Sequence, residues 1–205
     1  DVIGGAMMSL QAQSHRNIEQ IIVDGGSTDG SMAVVAAHVL ENNKVVSEKD
    51  GGIYDAMNKG IGMASGDAIL FLNADDRLAQ PDAIGDLVAA LERNVNVGFV
   101  FGDVFVRNVN YDAYKSHSGI NKRNIGFDMI CHQTILARRE LFDVVGRFDT
   151  QYRICADLDW LIRCVDYGTQ FQYVPRLVAY YWANGESEKN ASLRRTEKAA
   201  ILARY

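Results

Sequence analysis

The sequence predicts an α/β fold with a mostly parallel central sheet and helices on both faces. The first observation is a fully apolar run at residues 68–72, which is typical of a strand buried on both sides. The second is an earlier strand at 19–24 with an Ile-Ile-Val centre. The third lies between them, where residues 53–64 repeat apolar side chains every three or four positions, as an amphipathic helix does. Strands that alternate with helices are joined by crossovers and therefore run parallel.

Residues 1–106 are predicted to alternate helix and strand throughout. The run from Gly25 to Gly30 is rich in turn and helix-capping residues, and Pro81 marks a helix start because proline fits the first turn. The predicted elements are a helix at 1–15, a strand at 19–24, a helix after Gly30, a strand at 44–48, a helix at 53–64, the central strand at 68–72, a helix after Pro81 and a strand at 97–106.

Residues 107–205 are predicted to be mixed in structure. Residues 107–130 carry no strong period, which is typical of a hairpin or a mobile loop. The elements predicted after them are a strand at 133–137, helices at 138–145 and 156–167, strands at 171–174 and 177–182, and a charged helix at 188–205. No linker, internal repeat or low-complexity segment interrupts the chain, so we predict one domain spanning residues 1–205.

Composition excludes several classes of protein. The 205 residues are 48% hydrophobic and 23% charged, as in ordinary globular proteins, and the net charge of −5 argues against general nucleic-acid binding. Three irregularly spaced cysteines indicate a reducing compartment and form no C-x-x-C zinc motif. With no signal peptide and no apolar run long enough to span a bilayer, we expect a cytoplasmic protein. Peripheral contact with the inner face of the membrane stays open, and no feature indicates an oligomeric state.

Carboxylates collect where the predicted strands end, which is where open α/β sheets bind ligands. Asp75 and Asp76 follow the central strand, and Asp24, Asp50 and Asp103 lie in or beside other strand ends. Aspartate in a turn usually caps a helix, but two adjacent carboxylates repel each other unless a cation or a basic group is near. The pair is equally compatible with a plain turn and with a Mg²⁺ or Mn²⁺ site that holds a diphosphate.

Two further carboxylates are compatible with binding or catalysis. Asp24 precedes Gly25-Gly26, where the backbone can approach a ligand closely and the carboxylate can accept hydrogen bonds from a nucleobase or ribose. This run matches neither G-x-G-x-x-G nor the P-loop. Asp157 begins a predicted helix, so it is either a carboxylate stabilised by the helix dipole or a general base for an acceptor hydroxyl.

The segment Cys131-His132-Gln133 suggests a thiol nucleophile, but no partner lies at a known spacing. We therefore prefer a loop His132 or Gln133 that touches a phosphate or an acceptor. Trp160 fits either the core or the wall of a sugar site.

Several of these motifs occur in a fixed order along nearly the whole chain. They are Ile21-Ile-Val-Asp-Gly-Gly-Ser-Thr-Asp-Gly30, Ser47-Glu-Lys-Asp-Gly-Gly-Ile-Tyr-Asp-Ala-Met-Asn-Lys-Gly60, Ala64-Ser-Gly-Asp-Ala-Ile-Leu-Phe-Leu-Asn-Ala-Asp-Asp76, His132-Gln133, Gly146-Arg-Phe-Asp149 and Ala156-Asp-Leu-Asp159. Together they resemble family-two glycosyltransferases, inverting enzymes with the GT-A fold, a Rossmann-like fold that binds nucleotide-diphosphate sugars. The second motif is similar to a segment of a bacterial polysaccharide-assembly subgroup.

The resemblance implies a role for each matching residue. Residues 1–106 would bind the nucleotide sugar and residues 107–205 the acceptor, a glycan or a lipid-linked glycan. Asp75 and Asp76 would be the D-x-D equivalent that holds Mn²⁺ or Mg²⁺, with Asp76 the direct ligand, and Asp157 would be the catalytic base. The nucleotide pocket would comprise Asp24, Gly25, Gly26, Ser27, Asp50, Asn73 and Asp75. The acceptor or phosphate side would comprise His132, Gln133 and Trp160.

The sequence departs from the family pattern in two places. The family opens with an apolar strand before its first helix, and this sequence begins inside that helix, so the first strand of the sheet is expected to be missing. The base segment carries Ala156-Asp157 where the family often has Glu-Asp. Two alternatives to the transferase stay open: a nucleotidyltransferase of the same fold, and a catalytically silent nucleotide-sugar-binding domain. A glycoside hydrolase would need two carboxylates flanking the glycosidic bond but no metal or nucleotide loop.

Overall fold

The computed structural model describes residues 2–183 and 185–205, and it confirms the α/β class. Most helices and strands lie within a few residues of their predicted positions. The elements are α1 (Val2–Gln11), β1 (Gln20–Asp24), α2 (Ser31–His38), β2 (Asn43–Ser47), α3 (Ile53–Met63), β3 (Ala68–Ile69), β4 (Arg77–Leu78), α4 (Ala83–Arg93), β5 (Val97–Arg107), β6 (Asp112–Lys115), a 3₁₀ turn (His132–Thr134), β7 (Ile135–Arg138), α5 (Leu141–Val144), α6 (Ala156–Asp166), β8 (Gln170–Trp182), α7 (Glu186–Lys189) and α8 (Ala191–Leu202).

The strands form two sheets whose directions differ from the prediction. β1 and β2 form a parallel pair, and the other six strands form a sheet in the order β3-β7-β5-β8-β4, with β6 added beside β5. In the larger sheet β5 and β8 run parallel, whereas the other pairs are antiparallel, so that sheet is mixed rather than mostly parallel. For β5 and β6 the reason is the connection, because the short turn between them can only join antiparallel strands.

The apolar run at 68–72 contributes only Ala68 and Ile69 to a sheet ladder. A cavity of about 1650 Å³ lies beside it, lined by this run, by β1 and by α1 and α3. The run at 68–72 does not pair with β1 in the described part of the chain. The apolar run and β1 therefore face the same cavity without pairing with each other.

Two predictions for the second half need correction. The strands expected at 171–174 and 177–182 are one long strand, β8, which crosses Pro175 with a shift in its register against β5. The charged helix expected at 188–205 is two helices, α7 and α8. Residues 107–130 do contain the predicted hairpin, formed by β5 and β6.

The core lies on the two faces of the larger sheet. On one face, aromatic and aliphatic residues of β5 pack against α6 and the end of α8, with Phe99, Phe101, Leu158 and Ile201 almost fully enclosed. On the other face, α4 packs its apolar stripe against β5 and β8. Helices α4, α6 and α8 therefore cover the two faces of the sheet whose strand ends carry the polar residues. Within residues 2–183 and 185–205, we find no helix with the length and hydrophobicity needed to cross a membrane.

Gly102 is expected to be indispensable in β5. A Cβ atom at this position would lie 2.5 Å from the carbonyl oxygen of Arg176 and 2.6 Å from Val178 Cγ2. We expect Gly102→Ala to lower the free energy of unfolding by about 1–3 kcal/mol, because the clash falls on a backbone atom that cannot move aside. Urea unfolding measures the effect, and Gly119→Ala is the matched control because a Cβ there meets nothing within 4 Å. Equal free energies of unfolding for Gly102→Ala and Gly119→Ala would contradict the close packing of β8 against Gly102.

Candidate active site

Asp24 holds the loop that follows β1. Its Oδ2 accepts hydrogen bonds from Gly26 N at 3.1 Å, Ser27 N at 2.9 Å and Ser47 Oγ at 2.6 Å, and its Oδ1 accepts one from Ser27 Oγ at 2.5 Å. These donors, above all the Ser27 and Ser47 hydroxyls, lower the pKa of Asp24 to about 2. The carboxylate is therefore a charged centre that orders the Gly25-Gly26-Ser27 turn.

A second loop, after β2, meets this turn. Asp50 Oδ1 accepts a hydrogen bond from Gly52 N at 2.9 Å, and its Oδ2 lies 2.9 Å from where a Cβ on Gly25 would be. A side chain at position 25 would displace the Asp50 carboxylate, and Gly26 has a φ of +88°, which favours glycine. The structure thus brings together Asp24, Gly25, Gly26, Ser27 and Asp50, which the sequence assigned to one nucleotide pocket.

Asp75 and Asp76 point into different surroundings. Asp76 has 0% exposure, and its carboxylate accepts hydrogen bonds from Gln133 Nε2 at 2.7 Å and from Trp182 N at 3.2 Å. Burial raises the pKa of Asp76 to about 6. Asp75 and Asn73 instead line the large cavity. Asp75 is therefore the carboxylate within reach of a ligand in this structure, whereas Asp76 ties its loop to β8 and to the 3₁₀ turn.

A metal ion held here would take few ligands from the protein. The described residues contain no group of three or more His, Cys, Asp or Glu side chains placed to surround a cation. Mg²⁺ and similar ions are commonly held by one or two carboxylates together with substrate phosphates and water. Two adjacent carboxylates, one of them facing a cavity, are compatible with that mode of binding.

Asp157 lies at the start of α6, with 7% of its surface exposed, and both its oxygens have partners. Oδ1 accepts hydrogen bonds from the Tyr54 hydroxyl at 3.0 Å and from Leu158 N at 2.8 Å, and Oδ2 lies 3.3 Å from His132 Nδ1. Burial, together with the negative charge of Asp157, raises the pKa of Tyr54 well above its usual range, so the phenol remains a proton donor. The carboxylate is thus oriented from two sides.

The 3₁₀ turn His132–Thr134 connects the two buried carboxylates. His132 contacts Asp157, and the next side chain, Gln133, donates to Asp76. The His132 Nε2 atom is buried and has no hydrogen-bond partner among the residues that the structure describes. His132, Asp157 and Asp75 line the same cavity, so the turn joins the predicted base to the predicted metal-binding loop.

Trp160 and Asp103 do not occupy the positions expected of site residues. Trp160 is only 2% exposed, its ring stacks on Phe142 with centroids 4.5 Å apart, and its Nε1 donates to Gly146 O. It follows Asp157 by three residues on α6 and faces the core, so its assignment to the acceptor side is wrong. Asp103 lies inside β5 and accepts hydrogen bonds from the hydroxyls of Tyr114 and Tyr173.

Tyr54 is the site residue that sequence reasoning missed. It lies in the first turn of α3, 100 residues before Ile154 and 103 before Asp157 along the chain, so no local pattern links them. The available signal was a tyrosine at the start of an otherwise aliphatic helix stripe, immediately after the Asp50 loop.

Solved structures with this architecture are GT-A glycosyltransferases. Staphylococcus aureus TarS 1-349 in complex with UDP-GlcNAc has a TM-score of 0.78 at 19% identity, covering 97% of this chain and 62% of that one. The mannosyltransferase PcManGT of Pyrobaculum calidifontis, in complex with GDP-Man and Mn²⁺, has a TM-score of 0.73 at 18% identity, covering 97% and 58%. The chain therefore has the GT-A fold of these glycosyltransferases.

The chain belongs to glycosyl transferase family 2, whose family model matches residues 1–150. A PGL/p-HBAD biosynthesis glycosyltransferase of Mycobacterium bovis is 36% identical over 169 residues, covering 80% of this chain and 64% of that protein. An uncharacterised glycosyltransferase of Mycobacterium tuberculosis is 33% identical over 166 residues, covering 80% and 63%. The chain thus spans a little under two thirds of the length of these relatives.

The loop hydrogen bonds allow a prediction about Asp24. Ser27→Ala removes the largest contribution to the lowered pKa, so the pKa of Asp24 should rise from about 2 toward its ordinary 3.8. Because the folded pKa lies below the unfolded one, the carboxylate adds stability above pH 3.8 and loses it as the pH falls toward 2. Side-chain carboxyl ¹³C NMR titration measures the shift. Ser31→Ala is the control because Ser31 bonds to Asp29 instead, and an unchanged Asp24 titration in Ser27→Ala would refute the assignment.

Proposed function

We propose that this protein is an inverting glycosyltransferase that moves a sugar from a nucleotide-diphosphate sugar to a hydroxyl of a glycan or lipid-linked acceptor. The observation that carries the proposal is the 3₁₀ turn, which ties Asp157 and Asp76 together beside a cavity that Asp75 also lines. One turn therefore holds both the proposed base and the proposed diphosphate-binding loop. The proposed reaction needs these two groups at a fixed distance from each other.

The donor would bind between the two loops at the ends of β1 and β2. The glycine-rich turn, ordered by the charged Asp24, places no bulky side chain beside Asp50, and the Asp50 carboxylate would accept hydrogen bonds from a ribose or base. Fold relatives in complex with UDP-GlcNAc and GDP-Man support a nucleotide sugar as the class of donor.

Mn²⁺ or Mg²⁺ would be held by the Asp75-Asp76 pair, with Asp75 rather than the predicted Asp76 as the direct ligand, because Asp76 is buried and both its oxygens accept hydrogen bonds. The complex of PcManGT with GDP-Man and Mn²⁺ supports a divalent ion. When bound, such an ion neutralises charge on a departing diphosphate. The buried hydrogen bonds of Asp76 to Gln133 and Trp182 would keep the loop from collapsing when it binds the ion.

Asp157 would act as the general base. It takes the proton of the acceptor hydroxyl as that oxygen attacks the anomeric carbon from the face opposite the nucleotide. The bond from the anomeric carbon to the diphosphate oxygen breaks, the nucleoside diphosphate leaves with the bonding electron pair, and the configuration inverts. Tyr54 occupies Oδ1 of Asp157, so Oδ2, the oxygen beside His132, would receive the proton.

The acceptor class and cellular location are proposed from the relatives. The named mycobacterial relatives act in the biosynthesis of PGL and p-HBAD, which supports a glycan or lipid-linked acceptor and a role in surface polysaccharide or glycolipid assembly. The cysteines, all of them free, support the cytoplasmic side of the membrane. Residues 1–106 and 107–205 would act as the donor and acceptor parts of one domain.

Asp75 is expected to control nucleotide binding that depends on metal. Calorimetry with UDP, GDP and dTDP, with and without Mn²⁺, should identify a nucleotide whose binding the ion strengthens. Asp75→Asn should weaken that binding by about tenfold or more, since the neutral amide is a poor ligand for a hard cation. Asp67→Asn, at the exposed start of the same apolar run, is the matched control. If no nucleotide binds in a metal-dependent way, the result contradicts the assignment of a nucleotide-diphosphate sugar as the donor.

Asp157 is expected to control the chemical step alone. With the donor found by a nucleotide-sugar screen, Asp157→Asn should lower kcat by about 10²–10⁴-fold because it removes general-base catalysis. The nucleotide Kd should not change. Asp166→Asn, at the exposed end of the same helix, should keep normal turnover. Unimpaired turnover in Asp157→Asn would remove only the base assignment, whereas the absence of any transfer by the unmodified protein would favour a silent binding domain.

A further inference from the structure

Glu197 is a buried acidic residue on α8 that the proposed reaction does not use. It is 8% exposed, and its carboxylate accepts hydrogen bonds from three successive backbone N–H groups. Oε1 accepts from Arg153 N at 2.8 Å, and Oε2 accepts from Ile154 N at 2.8 Å and from Cys155 N at 3.0 Å. Burying a carboxylate is costly unless donors surround it, and these three N–H groups supply that stabilisation.

The segment that Glu197 holds leads directly into the catalytic helix. Cys155 is the residue before α6, and its side chain provides no capping hydrogen bond. The three N–H groups that Glu197 accepts belong to residues 153–155, so this carboxylate fixes the backbone that enters α6, and its negative charge lies beside the start of the helix, where the helix dipole favours it. Cys155 is fully buried, and Asp157 follows it by two residues.

Tyr54 holds the same segment from the side of α3. Its hydroxyl lies 2.9 Å from Ile154 O and 3.0 Å from Asp157 Oδ1. Both backbone polar groups of Ile154 therefore have partners: its N–H donates to Glu197, and its carbonyl oxygen accepts from the Tyr54 hydroxyl. A displacement of this residue would move the Tyr54 hydroxyl and with it the Asp157 carboxylate.

Helix α8, which carries Glu197, packs into the core. Ile201, one turn after Glu197, is fully enclosed in the core, and the Cys155 Sγ atom lies 3.6 Å from Arg194 O of α8.

We propose that Glu197 is a positioning residue for Asp157: by holding the N–H groups of residues 153–155, it sets where the base carboxylate lies. This inference rests on the proposed function, because it assigns a role to Asp157 in transfer.

Glu197→Gln is the principal test. Glutamine keeps the shape but replaces one accepting oxygen by an NH₂ group, so at least one backbone N–H loses its acceptor. We expect kcat to fall about ten- to a hundredfold, since small displacements of a catalytic group have effects of this size. The donor KM and the nucleotide Kd should stay the same. Arg195→Gln, exposed on the same helix, should retain the full kcat.

A double-mutant cycle with Tyr54→Phe separates positioning from general damage. If both side chains act through the one segment, the loss of kcat in the double variant should be clearly smaller than the product of the two single losses. A loss equal to that product, or KM and Kd that worsen together with kcat, would overturn the proposal. If Glu197→Gln does not fold, Glu197→Asp, whose carboxylate is one methylene shorter, is tested in the same cycle.

One readout requires no turnover. Because His132 Nδ1 lies next to Asp157, the ring ¹⁵N signals of His132 should change in Glu197→Gln, while those of His15 and His38 stay in place. Unchanged His132 signals would contradict the link between Glu197 and the base. Absence of transfer by the unmodified protein, with changed His132 signals, would instead count against the proposed function alone.

Discussion

The parallel pairing of β5 with β8 is the constraint on which the rest of the molecule depends. The two strands stay in contact from Val97 to Arg107, with a shift in register at Gly102, where only glycine fits against the crossing backbone of β8. β7 and β6 attach to β5, and β4 attaches to β8. Trp182, the last residue of β8, donates its N–H to Asp76, while the turn before β7 supplies Gln133. The position of the loop that carries Asp75 and Asp76 thus follows from this one strand pair.

Three aspartates show how environment gives the same side chain different chemistry. Asp24 is surrounded by hydroxyl and amide donors, which lower its pKa, so it stays charged and orders a loop. Asp76 is enclosed, so burial raises its pKa despite the Gln133 amide. Asp157 is held at Oδ1 by Tyr54 and Leu158, which leaves Oδ2 beside His132. In each case the partners are distributed over separate segments of the chain, so the chemistry depends on how the strands and helices assemble.

The parts of the site beyond residue 150 matter as much as those within the family match. β8, Asp157 and Glu197 all lie past that point, yet they complete the surroundings of Asp76 and of the segment before α6. α8 looks in sequence like an ordinary charged surface helix, but one of its carboxylates is buried at the start of α6. A donor-binding half alone would therefore lack the carboxylate proposed to activate the acceptor, as well as its support.

The sequence by itself determined the fold class and most helices and strands, because apolar periods and turn residues act over a few neighbouring positions, whereas the resemblance supplied the grouping of Asp24, Gly25 and Asp50 in one pocket. It identified Asp75, Asp76 and Asp157 only as candidates, with their roles supplied by resemblance. The tertiary structure decided that Asp76 is enclosed while Asp75 faces the cavity, that Trp160 belongs to the core, and that most strand pairs of the larger sheet run antiparallel. It also decided that Tyr54 and Glu197 meet the segment before Asp157. Such contacts join residues 42 to 103 positions apart, and no local pattern encodes which side chain fills a space that distant elements create.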